Sequence, residues 1–214
     1  MATTPPTTIR RLSDRARTDR EDLYALLDEV PWGTLCTAAG NVPWVVPVLY
    51  ARVADRLIVH GSTGAGALRH AADGHPVAFS VTSIDGIVVA DSAFNSSANY
   101  RSAVVTGVFE TLVGDAKAAA LEALTDRLIP GRTAEVVANS PKEAAATVVL
   151  ALPIIDGAWT MKVRTGGPSP LAEPTDAWRG VVPITTIHGT PEPTEDSADR
   201  PLPESVRRLV GPSR

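Results

Sequence analysis

The sequence predicts a mainly β fold: an antiparallel sheet closed into a barrel, with α-helical additions. Three observations lead there. Six or seven β-rich runs follow one another, most are joined by turns too short for a parallel crossover, and only a few helical stretches interrupt them. A chain of 214 residues, 44% hydrophobic and 21% charged, can bury one good-sized core.

The elements follow in order. Residues 1–17 are rich in Thr, Pro and Arg and read as a flexible arm. Thr18 and Glu21 form a T-x-x-E capping box, and Leu23, Leu26, Leu27 and Val30 mark the buried face of a helix that Pro31 ends. Strands are predicted over 32–38, 42–53 and 56–60, turning at Gly40-Asn41 and Ala54-Asp55. Pro43 and Pro47 point to an edge or a bulge. A glycine-rich segment, residues 61–66, leads into a short helix. Runs at 77–84 and 87–90 flank Asp85-Gly86, which reads as a type I′ hairpin turn. Residues 100–113 form another β-rich run. Asp115 caps a helix with Leu121, Leu124 and Leu128 on one face, and Ser140-Pro141-Lys142-Glu143 opens a second. A last antiparallel pair, 147–155 with 158–164, turns at Asp156-Gly157. The barrel domain then spans 18–190, and residues 191–214, acidic and Pro-rich, read as a disordered tail.

Composition excludes several functions. A net charge of −4 offers no basic face for nucleic acid. The single cysteine, Cys36, forbids an internal disulfide and a Cys-based zinc site, and its strand context suggests a buried, inert thiol. Four scattered histidines without a carboxylate at ligand spacing give no metal site. No apolar run reaches membrane-spanning length and the N-terminus lacks a signal core, so a cytoplasmic location is expected.

The stretch from His60 to Arg69 carries the most chemistry. A strand ends at His60, three glycines follow within six residues, and a helix begins, so backbone and hydroxyl groups of Gly61, Ser62 and Thr63 could meet an anion. The spacing matches neither common phosphate motif, and an ordinary flexible turn explains it equally well.

Several blocks resemble one family in the same order along residues 20–185. They are His60-Gly61-Ser62 with Leu68-Arg69, the run 85–94, and Asn99-Tyr100-Arg101-Ser102-Ala103-Val104. Pro130-Gly131-Arg132, residues 162–166, and Trp178-Arg179-Gly180-Val181 with Pro183 follow. They are similar to the nitroimidazole-resistance-like branch of the pyridoxamine 5′-phosphate oxidase superfamily of flavin-binding proteins. The resemblance implies a six-stranded split barrel, a homodimer, and FMN at the subunit interface. It implies that Pro47, Val48, Leu49 and Tyr50 line the isoalloxazine through backbone groups, with His60, Gly61, Ser62 and Thr63 along the ribityl chain and phosphate. Asn99, Tyr100, Arg101 and Ser102 would approach from a neighbouring strand or subunit. Lys162 could pair with an anionic ligand, and Trp178 resembles an aromatic covering the pocket. The chain departs from the family twice. Ala65, Gly66 and Ala67 replace its usual basic residues, leaving Arg69 or Arg101 as the phosphate contact, and Asn95-Ser96 replace a His-His pair.

The expected function is an FMN-dependent oxidoreductase acting on a small molecule, with His60 as the candidate catalytic acid–base or as a wall of the pocket. The alternatives are a flavin or haem binding or storage module, or a cofactor-free enzyme using the barrel pocket.

Overall fold

The computed structural model describes residues 8–171 and 173–211. Its elements, in chain order, are β1 (Ala16–Arg17), α1 (Arg20–Glu29), β2 (Trp32–Ala39), β3 (Val42–Val53), β4 (Arg56–Ser62), α2 (Gly66–Ala72), β5 (Val77–Val89), β6 (Ser97–Gly107), β7 (Glu110–Thr111), α3 (Gly114–Leu128), α4 (Pro141–Ala146), β8 (Thr147–Pro153), β9 (Trp159–Arg164), β10 (Gly180–Pro183) and α5 (Glu204–Val210). Every strand pair is antiparallel, in the order β1-β9-β6-β5-β2-β3-β4-β8-β7, with β10 on β5. Among the described residues, seven long strands and three short ones thus make the antiparallel barrel that the turns predicted and the split-barrel fold that the resemblance implied.

Two apolar layers hold it together. Leu23, Leu26 and Leu27 of α1 pack with Leu35, Tyr50, Leu57, Val59, Phe79, Val105 and Leu150 inside the barrel. A smaller layer, including Ile58, Leu124, Val149 and Ala151, seals α3 against the outer face of the β3–β4–β8 sheet. Alternation along β4 explains the division: Leu57 and Val59 face inward, Ile58 and His60 face α3.

The structure corrects several expectations. Asp19, not Thr18, caps α1, its side chain accepting from the Glu21 N–H. Asp85-Gly86 is not a hairpin turn: β5 runs through it with a register irregularity between Ile84 and Gly86. The Asp85 carboxylate is held by Arg101 and Ser83, and Gly86 lies beneath β10, where a Cβ would stand 3.0 Å from the Val182 carbonyl oxygen. The chain reverses instead at residues 90–96. β8 and β9 follow each other across Asp156-Gly157 yet do not pair, since β8 joins β4 while β9 joins β6. Cys36 is only half-buried.

Both ends carry order that their composition conceals. Residues 1–7 of the expected arm lie outside the described residues, but β1 pairs with β9, and Lys162 donates to the Arg11 carbonyl. In the expected tail, α5 docks on the turn after α3. Ser205 is buried, and both its N–H and hydroxyl bond to Glu135. One polar anchor does what apolar composition could not.

Candidate functional site

β3 and β4 separate partway along their length, and the crevice between them is the candidate cofactor site. They pair only from Tyr50/Val59 to Val53/Arg56. Residues 42–49 of β3 bond to β2 on one side, and among the described residues no strand covers the other. The Tyr50 N–H donates to the Pro31 carbonyl on the β2 side. Backbone polarity alternates along an antiparallel strand, so Val46 and Val48 also bond to β2, while Val45 and Leu49 turn their N–H groups to the open edge. Pro43 and Pro47 occupy the remaining outward positions, where a missing N–H costs no ladder bond. The proline spacing that marked an edge is thereby explained.

Across the crevice, residues 60–65 run from β4 into α2. The Thr63 N–H donates to Ala146, the Gly64 N–H to the Ser62 hydroxyl, and the Ala65 N–H to the Ser62 carbonyl. Two of the three glycines answer to packing. A Cβ on Gly61 would lie 2.3 Å from Leu68 Cδ1, and one on Gly66 would lie 2.6 Å from the Trp44 ring. Trp44 therefore bridges the crevice from β3 to α2. Arg69, exposed on α2, makes no side-chain hydrogen bond or ion pair among the described residues.

The structure divides the remaining candidates. Pro47 and Leu49 present backbone groups to the crevice, whereas Val48 and Tyr50 turn theirs to β2. Tyr50 is wholly buried, donates to the Leu27 carbonyl and packs edge-on against Phe79 at 5.1 Å; burial pushes its pKa up. It belongs to the core. His60 points away from Gly61, into a cleft of about 180 Å³ beside Leu121, Leu124 and Leu128. The residue is exposed, yet partial desolvation lowers its pKa and favours the neutral imidazole.

Asn99, Tyr100, Arg101 and Ser102 lie on β6, with β5 and β2 between them and β3, so one chain does not bring the two blocks together. Asn99 is buried, donating to the Gly166 carbonyl at 3.1 Å and accepting from Arg164 at 2.6 Å. Arg101 is fully engaged: it forks onto Asp85 at 2.8 and 2.9 Å and also holds Glu29. Its charge lowers the pKa of both carboxyls. It is a brace within the chain, so of the two arginines expected at the phosphate only Arg69 has no side-chain partner among the described residues. Lys162 anchors the N-terminal segment. Trp178 is 65% exposed and packs over Gly180.

Sequence reasoning missed the stacked pair His70–His75, whose rings lie 3.8 Å apart beside Trp44. His70 Nε2 bonds to the Ala38 carbonyl at 2.8 Å. Their spacing, one from each end of a helix–turn, was the available signal. Among the described residues no cluster of three metal-ligating side chains occurs, and no helix is long and apolar enough to cross a membrane.

Comparison with known proteins places this geometry. A structure of the FAD and haem binding protein from Mycobacterium smegmatis is 47% identical, with a TM-score of 0.88, covering 92% of this chain and 98% of that one. The flavocytochrome Anf3 from Azotobacter vinelandii is 32% identical, with a TM-score of 0.88, covering 96% of this chain and 97% of its own. A candidate 5-nitroimidazole antibiotic resistance protein from Bacteroides thetaiotaomicron is 17% identical, with a TM-score of 0.58 over 69% of this chain and 86% of its own. That likeness extends to the fold alone, so the nitroimidazole branch is a distant one. No curated protein matches significantly. The family profile described as pyridoxamine 5′-phosphate oxidase matches residues 19–158, and the chain belongs to that family.

Proposed function

We propose that this chain is a redox protein that binds a flavin, as FAD rather than FMN, together with a haem. The observation that carries the reading is the open edge of β3, facing residues 60–65 across a crevice that Trp44 bridges. The 47% and 32% identity to proteins described as binding FAD and haem, or as a flavocytochrome, supports it. Outward N–H groups at Val45 and Leu49 and outward C=O groups at Val45, Pro47 and Leu49 suit the alternating donors and acceptors of an isoalloxazine edge. The loss of basic residues at Ala65, Gly66 and Ala67 favours the dinucleotide. A terminal FMN phosphate concentrates about two charges and needs cations, whereas a pyrophosphate spreads them over two groups and makes do with backbone donors and Arg69.

A haem needs an imidazole ligand beside an apolar wall, and two places offer one. One is His60 over Leu121, Leu124 and Leu128. The other is the His70–His75 pair beside Trp44. The bound groups would supply electron and hydride transfer; the protein would supply orientation, exclusion of water and an imidazole ligand. A second copy of the chain completes the reading. Val45, Leu49, Ile87, Phe94 and Val182 are all exposed, and a partner placed over them would deliver Tyr100 and Ser102 of β6, which one chain holds apart.

The absorption spectrum and the mass of extracted cofactor test this. Twin flavin bands, a Soret band and FAD as the released nucleotide are expected, and single His→Ala variants at 60, 70 and 75 identify which imidazole the Soret band depends on. A colourless protein that takes up neither group would overturn it. A proline pair tests the crevice itself. Val45→Pro is expected to leave the fold intact and weaken flavin binding about tenfold, because it removes only an outward N–H. Val46→Pro removes a ladder bond to β2 and should cost about 1–3 kcal/mol of stability. Equal effects of the two on folding would refute the assigned edge.

A further inference from the structure

We propose that a second cleft, remote from the glycine-rich turn, binds an organic anion with an apolar body of aromatic size. It lies between the α1–β2 junction, β5, the C-terminal end of α3, residues 184–188 and α5, and encloses about 900 Å³. Trp32, Ile84, Leu128, Ile184 and Leu209 supply its apolar walls. Trp32 is 51% exposed, leaving an indole face on which a flat ligand can stack.

Three arginines line the cleft and differ in what they hold. Arg101 is saturated by Glu29 and Asp85 and has no donor to spare for an anion. Arg127 and Arg208 are less engaged. The only hydrogen bond of Arg127 among the described residues runs from Nη2 to the Asp28 carbonyl, and its Nε is buried with no partner. Arg127 lines the cleft, and its guanidinium donors beyond that one bond are free to receive an incoming carboxylate. Among the described residues Arg208 is tied only to Glu204, and both side chains are more than half exposed, so that pair yields easily. Thr185 and Thr186 add hydroxyls. Glu29 and Asp85, which also line the cleft, disfavour a second negative group, which specifies a ligand of single charge.

The test uses the full-length protein with 2-naphthoate as probe and its uncharged amide, 2-naphthamide, as comparison. The four tryptophan indole N–H resonances locate the binding: Trp32 lies in this cleft and Trp44 in the cofactor crevice, so failure of either reading is seen separately. Naphthoate is expected to shift Trp32, to leave Trp44 in place, and to bind at least tenfold more tightly than the amide. Arg127→Met and Arg208→Met should each weaken it about tenfold, while Lys117→Met, on a different groove, should not. Arg208 is exposed, so its variant decides the matter if Arg127→Met fails to fold. Equal affinity for acid and amide, shifts confined to other tryptophans, or no binding would each overturn the proposal.

Discussion

Gly33→Ala is expected to lower the melting temperature by about 2–12 °C. Gly33 sits in β2 directly over the core, where a Cβ would stand 2.4 Å from Phe79 Cε1, 2.7 Å from its Cζ, and 3.0 Å from the Ser80 carbonyl oxygen. Phe79 has nowhere to retreat: it is wholly buried, and its ring meets Tyr50 edge-on at 5.1 Å. Tyr50 is in turn fixed by its bond to Leu27. Overpacking of this kind costs about 1–3 kcal/mol, and in a chain of this size each kcal/mol moves the midpoint by about 2–4 °C. The double variant Gly33→Ala/Phe79→Leu should recover part of the loss, because the second change opens the volume that the first one fills. Thermal unfolding of the three proteins settles it: an unchanged midpoint for the single variant would show that Phe79 moves freely.

Arg101→Met is expected to destabilise the protein by about 2 kcal/mol at neutral pH, the scale of losing hydrogen bonds to charged groups. The guanidinium joins α1 to β5 and β6 through Glu29 and Asp85, and without it two carboxylates face each other around an empty place. Both carboxyls have pKa values held below their unfolded values of ~4. Their contribution is therefore present above pH ~4 and lost as the pH falls through the folded values. The gap in stability between parent and variant should narrow in acid. A gap independent of pH would show that Arg101 acts through packing rather than charge.

Local chemistry was legible in the sequence, and distant chemistry was not. Gly40-Asn41 and Ala54-Asp55 turn the chain where expected, and Ser140 with Glu143 forms the capping box with Pro141 inside it. Each signal lies within four residues of what it controls. Asp85-Gly86 carried an equally strong local signal and lost, because its carboxylate answers to an arginine on the next strand and its glycine to β10, much later in the chain. The α5 helix was concealed for the same reason: Glu135 anchors it from outside the segment. At the candidate site, the two prolines of β3 announced an open edge. The choice between Arg69 and Arg101 could not be read, since nothing near Arg101 in sequence reveals Glu29.

The pairing of β4 with β8 sets the order in which the molecule can be made. A ribosome releases β2, β3 and β4 as a ready meander, yet the outer edge of β4 has no partner until Thr147–Pro153 has emerged. Until then Leu57 and Val59 sit on a sheet whose lateral hydrogen bonds are unclaimed, the situation in which nascent chains join one another. Residues 141–146 coil into α4 immediately before β8, and their capping box forms locally. That helix delivers the closing strand already started, which shortens the interval during which the growing chain is vulnerable.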